Sequence, residues 1–187
     1  MRKGARKPYR IDKGPLPSIE NRPTEVEARS MPGHWEDDCI VSRATTDRLK
    51  TINERVSGIV LIAKIKDGTI AQTNQAVRKR LISIPKQFRK TLTRDRGSEN
   101  MGYQELEKAL SIKCYFARAY HSWERGSNEN TNGLIRRFLP KKTDFRLITE
   151  DEIQTIEHLL NSRPRKRLGW KTPYEVFYEL TGVALQC

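Results

Sequence analysis

From His34 onward, apolar residues gather into short dense runs separated by polar turns. The span His34 to Ser42, with Trp35, Cys39, Ile40 and Val41 as its apolar members, reads as a strand. A weaker strand follows around Leu49 to Val56, and Ser57-Gly58 turns the chain into Ile59-Val60-Leu61-Ile62-Ala63, its most hydrophobic run. A branched apolar run this short is what a buried strand looks like. Asp67-Gly68 ends it, and Thr69 caps a helix to about Ile82 whose apolar face (Ala71, Val77, Leu81, Ile84) is loose. Arg89 to Asp95 makes a fourth strand, Tyr103, Leu106, Ala109 and Leu110 space out an amphipathic helix, and Cys114 to Ala117 is a fifth strand. The last third is helical. Leu134, Ile135, Phe138 and Leu139 mark a helix stopped by Pro140; Thr149 and Glu152 form a capping box, and Thr172, Pro173 and Glu175 open a final helix. This order predicts an α/β fold, a mixed five-stranded sheet with helices on its faces.

The first 33 residues differ. In the first thirteen positions Arg2, Lys3, Arg6, Lys7, Arg10 and Lys13 face only Asp12, and Pro8, Pro15, Pro17, Pro23 and Pro32 then break any helix or central strand. Residues 1–33 therefore read as a basic, proline-rich arm, and residues 34–187 as the globular core. The arm is unsuited to a helix-turn-helix, which needs two apolar-periodic helices.

Charge sharpens the picture. Thirty-six Lys and Arg oppose 23 Asp and Glu, a net +13, which calls for a polyanionic partner. No stretch approaches the ~18–20 apolar residues of a membrane span, so no membrane partner is expected. Three cysteines without paired spacing suggest neither a disulfide framework nor zinc, and point to a reducing cytosol.

Three acids stand in suggestive places. Asp38 lies inside the first strand, Asp95 ends the fourth, and Glu129 sits in a polar run just ahead of an apolar helix. If the first and fourth strands are neighbours, the two aspartates converge. Convergent carboxylates need a cation, and hard oxygen donors select magnesium or manganese. Such a site suits two-metal displacement at phosphorus. Spacing alone leaves open that all three are solvated acids.

Longer strings resolve the choice by resemblance. Gly33-His-Trp-Glu-Asp-Asp-Cys-Ile40, preceded by Val26-Glu-Ala-Arg29, resembles the opening of bacterial DDE transposases of the insertion-sequence-thirty family. Thr93-Arg-Asp-Arg-Gly-Ser-Glu99 is similar to that family's second motif. Its third is matched by Trp123 through Arg136 and then Leu139-Pro-Lys-Lys-Thr-Asp-Phe145. Leu160-Asn-Ser-Arg-Pro-Arg-Lys166 and Thr172-Pro173 complete a match over roughly residues 20–178. The resemblance implies a ribonuclease-H-like integrase core with Asp38, Asp95 and Glu129 as catalytic and metal-holding residues. Between Asp95 and Glu129 lie 33 residues, the family's spacing. It further implies two magnesium (or manganese) ions, hydrolysis at the element's end, and attack of the freed 3′-hydroxyl on a target phosphodiester. Expected partners are element ends and target DNA, with a homo-oligomer assembled on DNA in the bacterial cytoplasm, at the nucleoid. Family members carry an N-terminal helix-turn-helix, and this chain begins in what resembles the linker after it. The alternative reading is therefore a truncated, catalytically silent DNA-binding remnant or regulator.

Around the triad, Asn128, Asn132 and Arg136 either contact DNA phosphates or orient Glu129. Arg96 is a candidate phosphate contact, and Arg137, Lys141, Lys142, Arg165, Lys166 and Arg167 lie in acid-poor runs that suit phosphate tracking. Trp123 and Trp170 either stack on bases or serve the core. Asp37, Asn53, Arg94 and Arg96 depart from the family's pattern. Asp37 is expected behind the site or exposed, Asn53 is a flaw in the core, and Arg94 with Arg96 places two cations beside Asp95, where they would weaken metal binding.

Overall fold

The computed structural model describes residues 15–42, 44–118 and 126–185. Five strands, β1 (His34–Val41), β2 (Arg48–Glu54), β3 (Val60–Ile65), β4 (Thr91–Arg94) and β5 (Lys113–Phe116), form one sheet in the order β3-β2-β1-β4-β5. The first three are an antiparallel meander, while β4 and β5 join parallel to β1. The sheet is thus mixed and five-stranded, as the pattern predicts. Parallel joins need long crossovers. These are α2 (Ile70–Leu81) and α3 (Tyr103–Leu110).

Side-chain alternation along the strands makes two cores. Trp35, Ile52, Leu61, Leu92 and Phe116 face α2 and α3, and Phe177 joins them from α6 (Pro173–Thr181), its ring meeting Trp35 edge-on at 6.1 Å. Ile40, Leu49, Val60 and Ile62 face α4 (Gly126–Phe138) and α5 (Glu150–Asn161), which contribute Ile135, Ile153, Ile156 and Leu160, with Leu139 joining them just past α4. Both predicted capping boxes, Thr149 with Glu152 and Thr172 with Glu175, are formed. The outer edge of β3 is covered by polar side chains of α5. Asn161 accepts from the Val60 amide at 2.9 Å and donates to its carbonyl at 2.7 Å, and Glu157 accepts from the Ile62 amide. An edge satisfied in this way does not invite another strand.

The stretch ahead of β1 behaves differently from its proline count. A short helix, α1 (Thr24–Ala28), follows Pro23, and Val26 is buried. Arg22 is also buried, donating to Thr93 Oγ1 at 2.9 Å and pairing with Glu27. Arg55 joins Glu36, Glu27 and the Val26 carbonyl. Charge pairs, rather than apolar periodicity, fasten this segment to the sheet.

No helix among the described residues is long and apolar enough to cross a membrane.

Candidate active site

The strand pairing β1–β4 decides where the aspartates go. Glu36 is opposite Thr93 in a parallel register. Continuing that register places Asp37 beside Arg94 and Asp38 beside Asp95, Asp95 just past the C-terminal end of β4 and Asp38 midway along β1, where its pairing with β4 runs out. Ligand sites of open α/β sheets form at such ends. Asp38 and Asp95 share the face covered by α4, and both are half-buried.

An asparagine holds each aspartate. Asn132 Nδ2 donates to Asp38 Oδ2 at 2.7 Å, and its own Oδ1 accepts from Thr51 Oγ1 at 3.3 Å. Buried Asn100 donates to Asp95 Oδ1 at 2.6 Å, and the Gly97 amide donates to the same oxygen at 2.9 Å. Asn100 was not singled out by the sequence. It lies in a short 3-10 turn (Ser98–Asn100) whose only sequence signal is its nearness to Asp95.

Glu129 is exposed in the first turns of α4, three residues before Asn132 and hence on the same flank of the helix. Asn128 is buried; its Nδ2 donates to the Asp37 carbonyl at 3.1 Å, and its Oδ1 accepts from Asn53 Nδ2 at 2.5 Å. Asn53 is therefore a polar anchor for α4 and not a flaw in the core. Among the described residues, no three His, Cys, Asp or Glu side chains are gathered into a closed metal-binding group. The donor chemistry nonetheless fits a hard divalent cation, with two carboxylates on neighbouring strands, Asp38 within β1 and Asp95 just past β4, and a third on the flanking helix. Burial pushes the Cys39 thiol up to about 11 and Cys114 up to about 12, so neither is a thiolate nucleophile at neutral pH.

The opposite face of the sheet decides between the two expectations for Asp37 and corrects the one for Arg94. Asp37 is fully buried behind the site and not exposed. Lys50 Nζ lies 2.8 Å from its Oδ2, and Arg94 Nε donates to the same oxygen at 3.0 Å. All three side chains are inaccessible to solvent. Burial disfavours the Asp37 charge, yet Arg94 and Lys50 outweigh it and hold the carboxyl below the usual aspartate range. Arg94 is thus neutralised on the far side of the sheet and does not crowd Asp95 with charge. Two departures from the family pattern are each other's partners. Lys50 also donates to Asn100 Oδ1 at 3.3 Å, linking this cluster to Asp95.

The remaining candidates divide by environment. Arg96 is exposed, with Nε donating to the Ala117 carbonyl at 3.2 Å. Arg136 donates to the Val41 carbonyl at 2.6 Å, and its guanidinium lies 5.7 Å from the Phe145 ring centre. Arg137, Lys141, Lys142, Lys166 and Arg167 are exposed, and Arg165 is half-buried. Trp170 is exposed at the surface, and Trp123 lies outside the described residues.

Comparison with known proteins agrees with this geometry. The chain is 40% identical over 163 residues to the transposase for insertion sequence element IS1086 of Cupriavidus metallidurans, covering 87% of this chain and 48% of that protein. It is 40% identical over 173 residues to the transposase for IS4351 of Bacteroides fragilis, covering 92% of this chain and 51% of that protein. It is 38% identical over 184 residues to transposase InsI for IS30A of Escherichia coli, covering 98% and 47% respectively. The chain spans about half the length of the curated relatives it matches. No family model matches the sequence. Among solved structures, the catalytic core domain of BIV integrase superposes with a TM-score of 0.61 at 22% identity, over 79% of this chain and 94% of that one. The HTLV-2 integrase catalytic core domain, solved in complex with magnesium, gives 0.62 at 20% identity, over 79% and 97%. The fold is therefore the ribonuclease-H-like fold of integrase cores, and the chain's relatives at 34–40% identity are transposases of the insertion-sequence-thirty (IS30) family.

Proposed function

We propose that this chain is the catalytic core of a transposase, cleaving DNA strands at an element's ends and joining them to target DNA. The observation that supports the reading is the parallel pairing of β1 with β4, whose continuation brings Asp38 beside Asp95, together with α4, which carries Glu129 and bonds to Asp38 through Asn132. The assigned catalytic residues are Asp38, Asp95 and Glu129. Magnesium or manganese, two ions held by these three carboxylates, would supply charge stabilisation to the attacking and leaving oxygens at phosphorus. The chain's own side chains do the positioning. Asn132 and Asn100 fix the carboxylate planes of Asp38 and Asp95, and Asn53 with Asn128 sets the helix that carries Glu129. Exposed Arg96, Arg137, Lys141, Lys142 and Lys166 then offer positive charge to DNA backbones on either side. Element ends and target DNA are the proposed partners, with at least two copies of the chain acting together on DNA in the bacterial cytoplasm.

The test incubates the chain with a pre-cleaved oligonucleotide end, supercoiled plasmid and Mg²⁺ or Mn²⁺, beside Asp95→Ala. Joined products that vanish in the variant are expected. Plasmid binding with no nicking or joining under either metal would overturn the catalytic reading in favour of a silent DNA-binding remnant.

A further inference from the structure

A second site lies across α4 from the carboxylates. Successive helical residues turn by about 100°, so Ser127 and Asn130 occupy the flank opposite Glu129 and Asn132. A cavity of about 220 Å³ opens there, lined by Arg29, Gly58, Ser127, Asn130, Arg165 and Arg167. Arg29 follows α1 in the left-handed region (φ 50°) and reaches Ser127 Oγ with Nη2 at 3.2 Å. The segment after α5 brings the other two arginines from the far side. Arg165 Nη2 donates to the Leu160 carbonyl at 3.1 Å and Arg167 Nη1 to the Val56 carbonyl at 3.2 Å. Both guanidiniums lie over Gly58 (φ 72°); a β-carbon there would collide with Arg167 Nη2 and meet Arg165 Nη1 at 3.0 Å.

Three guanidiniums thus gather round one cavity, and none of them forms an ion pair among the described residues. Glu54, the one acid in the lining, is already occupied. Its carboxylate accepts from the amides of Gly33, Val56 and Ser57 and from the Ser57 hydroxyl. Partial burial and the Arg167 charge lower Arg165 to about 10; burial and Arg29 lower Arg167 as well, against a smaller upward pull from Glu54. Like charges held together at such a disadvantage are relieved by an anion. Planar guanidinium forks converging on one cavity suit a tetrahedral oxyanion.

We infer that Arg29, Arg165 and Arg167 form a cradle for a single backbone phosphate of DNA, on the flank of α4 opposite Glu129 and Asn132. The inference rests on the DNA reading above and adds a fixed anchor point for the strand. A cradle differs from a basic track in a measurable way, because the salt dependence of DNA binding counts phosphates neutralised, at about 0.9 per phosphate.

The experiment measures anisotropy of a labelled duplex with the full chain across a salt series, alongside melting with and without inorganic phosphate. Arg29→Gln should weaken binding about tenfold. The triple variant Arg29→Gln/Arg165→Gln/Arg167→Gln should lower the salt slope by about 0.9, one phosphate shared by three arginines. A fall of about 2.7 would mean three independent contacts, and no change would mean no phosphate; either overturns the cradle. If the triple variant does not fold, exposed Arg29 decides alone, and an unchanged affinity in Arg29→Gln overturns the proposal. If the unaltered chain binds no DNA at any salt, the DNA reading fails on its own. In that case, phosphate raising the melting temperature of the unaltered chain but not of Arg29→Gln sustains a free-phosphate site, and no rise in either removes the cradle too.

Discussion

Replacing Asp37 by asparagine keeps the side chain's shape and deletes its charge. Lys50 and Arg94 are then left facing each other, both inaccessible to solvent, where Lys50 sat 2.8 Å and Arg94 3.0 Å from the carboxylate. Removing one member of a buried ion cluster costs about 3–5 kcal/mol, because the partners keep their desolvation penalty and lose the compensating attraction. In a domain of this size each kcal/mol moves the melting temperature by roughly 2–4 °C, so Asp37→Asn should melt roughly 6–20 °C lower. Urea denaturation at pH 7 checks it, with the midpoint falling and the slope unchanged. The sign with pH is also fixed. The native carboxyl is held below its ordinary 3.8, so its stabilisation is complete above that value and is lost as pH falls through the depressed native one. Asp37→Asn should abolish that acid limb. A loss under about 1 kcal/mol would refute the reasoning, since it would mean the two cations are solvated or paired well enough without Asp37.

Three further outcomes are expected. Asn100→Ala removes the 2.6 Å donor to Asp95 and should lower single-turnover joining about 10–100-fold with the fold intact; joining at the unaltered rate would show that Asn100 does not position Asp95. His34, buried between Thr91 and Glu25, has its pKa lowered from 6.5, burial outweighing the pull of Glu25. The unfolded chain then takes a proton the native one refuses, so stability should be complete above pH 6.5 and decline below it by at most about 1.4 kcal/mol per pH unit. Chemical denaturation from pH 7.5 to 5 reads this, and His34→Gln should flatten the decline. Finally, EDTA should abolish joining while leaving anisotropy of bound DNA in place, and parallel loss of both would tie the metal to DNA binding instead of chemistry.

The sheet and its flanking helices were legible because their signals are local. Thr149 and Thr172 announce helices through side chains three residues away, and the branched run from Ile59 to Ala63 announces a buried strand. The convergence of Asp38 and Asp95 was legible only on condition that β1 and β4 are neighbours, a condition the parallel pairing meets. What escaped was decided by partners far along the chain. Asp37 and Arg94 are 57 positions apart and meet only through the parallel register. Arg22 finds Thr93 at a separation of 71, and that contact, with buried Val26, fastens a segment whose prolines argued against any helix. Nothing in the local pattern distinguishes a lysine that will be buried, such as Lys50, from one that will be solvated.

The polar contacts under α4 bear on function more directly than its apolar ones. Ile135 and Leu139 bury the helix's last turns against the sheet, but apolar packing is non-directional and tolerates rotation about the helix axis. The first turns are held differently. Asn128 bonds to Asn53 and to the Asp37 carbonyl, and Asn132 to Asp38 and Thr51. Directional bonds from two successive turns to two adjacent strands fix both the height and the rotation of the helix. Glu129 lies between those two asparagines, so its azimuth relative to Asp38 and Asp95 is set by the same bonds. The polar residues buried here therefore set the geometry of the carboxylates, which an apolar replacement of equal volume would leave undetermined.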